Sequence, residues 1–380
     1  MKMLETKPRS VLCANADSPF FYFGWPSIAR LQDGTLAMAS SGYRLEHICP
    51  FGKAVISYSK DEGKTWTRPA PVIDTPMDDR DAGIVPFGNG RAIFTSFNNT
   101  TKFQRKVNKG RHFSEDPVTR AKADLIDAYL NYVEAMGEPD KYVGSTYRLS
   151  EDGGYTFGEI KFCPVTTPHG PCVLKDGSLL YIGRRFDGNN EYDDGAVPYI
   201  QCYTMKADGS EFEHLSSIEN VVVGDAHPIS CEPHCIQLPS GRIICHIRIQ
   251  TRGKASTDGG ANLFTVYQSI SDDNGKTWTK PVQLLADRGG SPAHLMLHSS
   301  GVVISSYGYR EAPYGQRIMF SKDEGETWDT DYVLDANGQS GDLGYPATVE
   351  LRDGSLLTCY YENRDGESKI MMNNWVLPKL

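Results

Sequence analysis

The chain has 380 residues, 39% hydrophobic and 23% charged, which excludes wholesale disorder and leaves ample material for a core. Its net charge of −9 makes it a poor partner for nucleic acid or an anionic membrane, so an anionic ligand would need a local basic pocket. Gly (37) and Pro (22) exceed their average share and Tyr reaches 20, which suits a turn-rich all-β protein.

The N-terminus, MKMLETKPRSVL, lacks the apolar stretch and small-residue site of a signal peptide. No window approaches 18 continuous apolar residues, so no membrane span is expected. The nine cysteines show no CxxC spacing and sit mostly in apolar runs, as reduced thiols do. These features predict a cytoplasmic protein, or a secreted one if the N-terminus was trimmed.

In chain order, the first element is a free strand at residues 9–16. It precedes six copies of an apolar strand, a tight x-Gly turn and a second apolar strand, at 25–39, 81–95, 168–182, 232–246, 292–306 and 345–359. The turn glycines are Gly34, Gly90, Gly177, Gly241, Gly301 and Gly354, at spacings of 56, 87, 64, 60 and 53. Interleaved with them are SKDEGKTW (59–66), SEDGGYTF (150–157), SDDNGKTW (271–278) and SKDEGETW (321–328). Each reads Ser-x-Asp-x-Gly-x-Thr-aromatic, a turn whose Asp caps backbone N–H groups while the aromatic ring packs beneath. The pattern predicts an all-β fold, one six-bladed β-propeller of four-stranded antiparallel blades spanning 1–380. The last repeat is followed by one more strand, 368–376, so 9–16 is expected to close blade six and remove an exposed edge.

The 87-residue spacing holds an inserted loop and helix at 100–140, between the second and third strands of blade two. Val118, Leu125, Ile126, Tyr129, Leu130 and Val133 recur at helical intervals within 116–136, and Asp116–Pro117 reads as N-cap and first turn. The basic stretch 102–111 reads as a mobile loop. The insertion should overhang the face where the six first strands begin, as a lid or as a homo-oligomer contact.

Nine residues before each turn glycine stand Trp25, Asp81, Pro168, Glu232, Pro292 and Tyr345, strand starts that can converge on one axial pocket. His169, His234 and His294 lie one or two steps further on. Arg44, Arg184, Arg248, Arg310 and Glu362 follow the second strands on the same face, and Arg80 precedes Asp81. Carboxylates, a phenol and arginines around one mouth point to a ligand site. The histidine spacing matches no metal-ligand signature, and neither metal nor cofactor is expected.

The chain resembles the sialidase superfamily of Asp-box (BNR) propellers, through its four boxes and most specifically in two blades. CEPHCIQLPSGRIICHIR (231–248) resembles the segment carrying the catalytic glutamate and an arginine of the carboxylate-binding triad, which implies Glu232 and Arg248. SGDLGYPATVELRDGSLLTCYYEN (340–363) resembles the segment carrying the nucleophilic tyrosine and an arginine-bracing glutamate, which implies Tyr345 and Glu362. Arg310 or Arg317 would supply a further triad arginine. The chain departs from the family at FGWP (23–26), where Gly24 replaces the first arginine, with Arg80 or Arg44 as substitutes. It departs again at 44–52, which offers Glu46 and His47 where an acid/base aspartate is usual, leaving Asp81 as the alternative acid.

The chemistry is coherent on its own terms. A phenol needs a base to attack at neutral pH, and a phenol avoids the repulsion a carboxylate nucleophile meets at a sugar bearing its own carboxylate. Arginines grip such a carboxylate in bidentate geometry. The expectation is a retaining, exo-acting hydrolase of a terminal acidic sugar, with Trp25 as a stacking platform and poor hydrolysis of ordinary sialosides. Two alternatives stand beside it: a polysaccharide lyase on uronic-acid glycans with Tyr345, His169 or His234 as base, and a non-catalytic glycan-binding propeller.

Overall fold

The computed structural model describes residues 1–185, 198–224, 227–251, 263–286, 288–290 and 292–380. Six sheets surround one axis, each antiparallel through its four principal strands. Blade one is Tyr22–Arg30, Leu36–Arg44, Lys53–Ser59 and Ala70–Ile73, and blade two Arg80–Phe87, Arg91–Phe97, Ser145–Ser150 and Lys161–Cys163. Blade four runs Ile229–Gln237, Ile243–Gln250, Phe264–Ser271 and Val282–Gln283, and blade five from Ala293–Leu297 to Asp329–Asp335. In blade three the inner strand is split: Val165–Thr166 and Cys172–Val173 both pair with Leu179–Arg185. Pro168 and Pro171 fall in the gap, where missing N–H groups break a ladder.

Each neighbouring pair of blades shares its own apolar wedge. Phe94, Ile84 and Ala39 lie between blades one and two, and Leu180, Cys202 and Ile247 between three and four. Phe320 and Trp375 lie between five and six. The alternating strand pattern is thus buried on both faces, one toward each neighbour.

The four Ser-x-Asp repeats make the turns between third and fourth strands, at the end of the blades away from the strand starts. Asp61 accepts from Ser59 Oγ (2.8 Å), Thr65 N (2.9 Å) and Thr65 Oγ1 (2.6 Å), and Trp66 Nε1 donates to Gly63 O (3.1 Å). Gly63, at φ 81°, supplies the left-handed step. The bonds from Thr65 lead those that hold the Asp61 carboxyl down at about 2. Blade six has no such turn, because its fourth strand comes from the other end of the chain.

That strand is Ser10–Cys13, antiparallel to Glu367–Trp375, as the sequence predicts. Arg9 reaches the buried Glu362 at 2.7 Å and Asp335 at 3.2 Å. Lys2–Met3 adds a short parallel pairing to blade five, too brief to leave a sequence signal.

The insertion holds two α-helices rather than a loop and one helix: α1 (Thr101–His112) and α2 (Pro117–Ala135). The 102–111 stretch is therefore helical, capped by Thr100, whose Oγ1 accepts from Phe103 N at 3.0 Å. Periodicity did not reveal α1 because its buried face is polar: Thr101, Gln104 and Asn108. Asn108 donates to Asp127 (2.9 Å) and Gln104 to Asp78 (2.8 Å). Ile126 and Leu130 of α2 pack on Leu45 and Cys49, so the pair sits on the mouth of blade one.

Deleting residues 1–16 leaves Glu362 with Arg364 alone and bares the edge of Glu367–Trp375. Lower Tm and growing light scatter at 37 °C are expected, with unchanged thermal behaviour as the contrary result.

Candidate active site

Trp25, Asp81, Glu232 and Tyr345 share a backbone conformation that few non-glycine residues adopt, with φ of 55°, 42°, 49° and 50°. Each sits where the pairing register of its inner strand slips, between Gly24 and Ser27, Arg80 and Gly83, Cys231 and His234, and Gly344 and Ala347. Such a bulge re-aims a side chain that plain alternation would bury between blades. Pro168 and Pro292 occupy the same column with φ fixed negative by the ring, so blades three and five contribute no such residue.

Tyr345 Oη donates to Glu232 Oε1 at 2.7 Å. Arg248 Nη1 donates to Glu232 Oε2 at 2.5 Å and lies 3.3 Å from Tyr345 Oη, while its Nη2 donates to Gln250 at 2.6 Å. Burial pushes the Glu232 carboxyl up, but the Arg248 charge and the Tyr345 bond outweigh it and hold the group below its ordinary range. Burial, with Glu232 and Asp81 nearby, keeps the Tyr345 phenol well above its usual value. Arg310 lies 5.7 Å from the Tyr345 ring centre, and it and Arg248 both stack on Phe264.

Asp81 is the opposite case. It is buried, and among the described residues its Oδ1 accepts no hydrogen bond. Burial pushes its carboxyl up to about 7, with Glu232 adding to the shift and Arg80 opposing it. The mouth thus holds one ionised carboxylate, one carboxyl poised to carry a proton and one phenol.

Beneath them Asp78 holds Arg44 at 2.6 Å and Arg80 at 3.5 Å, with no exposed surface. Both guanidiniums face Trp25, at 4.9 and 4.1 Å from its ring centre. Trp25 is 1% exposed and does not line the cavity, so the expected stacking platform is instead a buried support for two cations. Arg44 is likewise buried beneath the cavity rather than lining it.

The cavity itself measures about 230 Å³. Asp81, Glu232, Tyr345, Arg80, Arg184, Arg248 and Arg310 line it, four arginines against two carboxylates in a chain of net charge −9. One wall comes from Phe97, Asn99 and Phe103, the last on α1. Sequence reasoning missed this wall because Phe103 lies in the stretch read as mobile. It also missed Asp342, which Tyr22, His47, Tyr361 and Asn363 surround at 2.9–3.0 Å. Its position three residues before Tyr345 was the available signal.

The repeat at residues 269–280 matches the BNR/Asp-box repeat family. Comparison with curated protein sequences gives no match. Among solved structures, a protein of unknown function from Dyadobacter fermentans is similar over 99% of both chains, at 20% identity and TM-score 0.73. The NanB sialidase of Streptococcus pneumoniae is similar at 14% identity over 99% of this chain and 70% of its own, with TM-score 0.63. The Trypanosoma rangeli sialidase follows at 12%, 93%, 55% and 0.60, so this chain spans about half its length. The chain has the sialidase-type propeller fold.

On this sialidase-type propeller several expected site residues lie elsewhere. Glu362 is buried against Arg9 (2.7 Å) and Arg364 (2.8 Å), outside the cavity, and braces no cavity arginine. Arg317 donates to the carbonyls of Asp335 and Pro313, which leaves Arg310 as the cavity arginine. Glu46 pairs with Arg111 and Lys122 of the insertion. His169 and His234, with His294, line a separate cavity toward the far end of the axis, with ring centres 4.5–5.2 Å apart. Among the described residues no cluster of three or more His, Cys, Asp or Glu side chains has the geometry to hold a metal ion. A side chain at Gly24 would meet Tyr22 at 3.3 Å and Tyr361 at 3.6 Å, so aromatic rings fill that place.

The Asp81 shift has a stability consequence. Its folded value of about 7 lies above the ordinary 3.8, so its contribution is full below pH 4 and lost as pH rises through 7. Asp81→Asn is therefore expected to stabilise the fold at pH 8 by ~1–3 kcal/mol and to leave it unchanged at pH 4, read by urea titration. Trp25→Ala should cost about 3–5 kcal/mol in the same assay, and a surface-like loss below about 1 kcal/mol would contradict its supporting role.

Proposed function

We propose that this chain is an exo-acting, retaining glycoside hydrolase of sialidase-like type that removes a terminal acidic sugar. The observation that carries the reading is the 2.7 Å bond from Tyr345 Oη to a carboxylate already ionised by Arg248. A phenol so held passes its proton to Glu232 as its oxygen attacks. In the first step Asp81 gives its proton to the glycosidic oxygen, the bond from that oxygen to the anomeric carbon breaks, and Tyr345 Oη bonds to that carbon. In the second, water attacks the anomeric carbon while Asp81 takes its proton, the bond from that carbon to Tyr345 Oη breaks, and Glu232 returns its proton to the departing Tyr345 oxygen. Two displacements retain the configuration.

The acidic sugar is supported by the arginine excess in the cavity. Arg248 and Arg310, both backed by Phe264, are the pair suited to its carboxylate, and Arg248 Nε is a buried donor without a partner among the described residues. With Gly24 in place of an arginine, one bidentate contact fewer costs roughly 1.5–3 kcal/mol, so simple sialosides should be poor substrates. A cavity of about 230 Å³ favours one sugar unit and hence a chain end. The lyase reading with His169 or His234 as base finds no support, since both line the other cavity.

A panel of aryl and alkyl glycosides of sugar acids, with acidic oligosaccharides, tests the reading. At least one glycoside should turn over, with Tyr345→Phe lowering kcat about 10³-fold or more. Asp81→Asn should cost about 10²–10⁴-fold on alkyl glycosides and far less on nitrophenyl ones, whose leaving groups need no proton. Rate should hold on the acid side of neutrality and fall as pH rises through about 7, where Asp81 loses the proton it must donate. An unsaturated, ultraviolet-absorbing product would instead identify a lyase. Tight binding with no turnover would identify a lectin-like propeller.

A further inference from the structure

Helix α2 carries two apolar faces. Ala123, Ile126, Leu130 and Val133 are buried against the propeller mouth and α1. On the outer side Val118, Leu125 and Tyr132 stand seven residues apart and are 59%, 46% and 61% exposed. Ala121, Ala128 and Ala135 follow each of them by three positions and are also exposed. Large residues at one heptad position and alanines at the other, over nearly three heptads, form the seam of a two-helix coiled coil rather than a solvated face.

We propose that the chain forms a two-fold symmetric homodimer in which α2 packs antiparallel against α2 of a second copy. The seam is self-complementary only in that sense. About a two-fold axis near residues 126–127, Leu125 sits over the partner's Ala128, Val118 over the partner's Ala135 and Tyr132 over the partner's Ala121. Each large side chain meets a small one and the backbones approach closely. A parallel pairing would stack tyrosine on tyrosine and alanine on alanine. The charged residues of α2 do not compete for this seam: Lys122 pairs with Glu46, and Asp127 and Glu134 with Arg105 of α1. Antiparallel packing also opposes the helix dipoles. An anionic bilayer is the poorer occupant for a chain of net charge −9. A helix of 19 residues is about 28 Å long and buries less than a standard interface, so the dimer should be reversible with Kd on the order of micromolar. It would clamp from outside the helix pair whose Phe103 lines the cavity.

Sedimentation velocity of the full chain from 1 to 100 μM tests this. The wild type should shift from the monomer to twice its mass, and Leu125→Asp should stay monomeric at every concentration with its Tm unchanged. The double variant Ala121→Cys, Tyr132→Cys should oxidise to a covalent dimer, the nine native cysteines being buried. The two new thiols are eleven positions apart on one helix and cannot bridge within a chain. A wild type that remains monomeric at 100 μM, or a Leu125→Asp variant that still dimerises, would overturn the proposal. So would a monomer that pellets with phosphatidylcholine vesicles through Leu125.

Discussion

Everything at the mouth depends on a left-handed residue at the head of an inner strand. A regular strand sends alternate side chains into the two wedges beside its blade, and the wedges here are full. Only a bulge frees a side chain for the axis, and Trp25, Asp81, Glu232 and Tyr345 each occupy one. Left-handed geometry in non-glycine residues costs on the order of 1–2 kcal/mol apiece. Trp25 offsets it through two guanidiniums, and Glu232 and Tyr345 through each other and Arg248. Asp81 has no comparable contact among the described residues, and burial separately pushes its carboxyl up to about 7.

The two cavity carboxyls show how neighbours divide roles under similar burial. Glu232 accepts from both Arg248 and Tyr345, so its ionised form is favoured. Asp81 sits beside Arg80, yet that guanidinium also serves Asp78 and the carbonyl of His47, and Glu232 adds a like charge. A pair of groups driven apart in this way can hold one proton and one negative charge at the same pH, the condition for acid–base work at neutrality.

The blade count, the closing strand and the column at the mouth were legible because a tight glycine turn fixes strand register at a distance. Nine residues back from each turn is a backbone position, and the fold honours it. Register does not set rotamer or depth. Trp25 heads the same column as Tyr345 but turns under it, because Arg44 and Arg80 draw its ring down around the buried Asp78. Glu362 follows its strand as the other candidates do, yet Arg9 from the far end of the chain captures it, a contact separated by 353 positions. Helix α1 escaped because the side it buries is amide and hydroxyl, and it hid Phe103 with it.

The place of Gly24 shows the local logic of charge. An arginine there would need both room and a counter-ion. Tyr22 and Tyr361 take the room, and the carboxylate nearby, Asp342, is already saturated by their hydroxyls, His47 and Asn363. Burial pushes Asp342 up, but those bonds hold it far below the usual carboxylate range, so a fixed negative charge stands on that side of the mouth. Two of the cavity arginines, Arg248 and Arg310, stand together over Phe264 on the other side. On the proposed reading an anionic sugar entering this cavity is repelled on one side and held on the other. Its carboxylate would thereby be directed toward Phe264 and its neutral hydroxyls toward His47, which lines the cavity on the Asp342 side. On that same reading the asymmetry is what would orient the substrate without a third arginine.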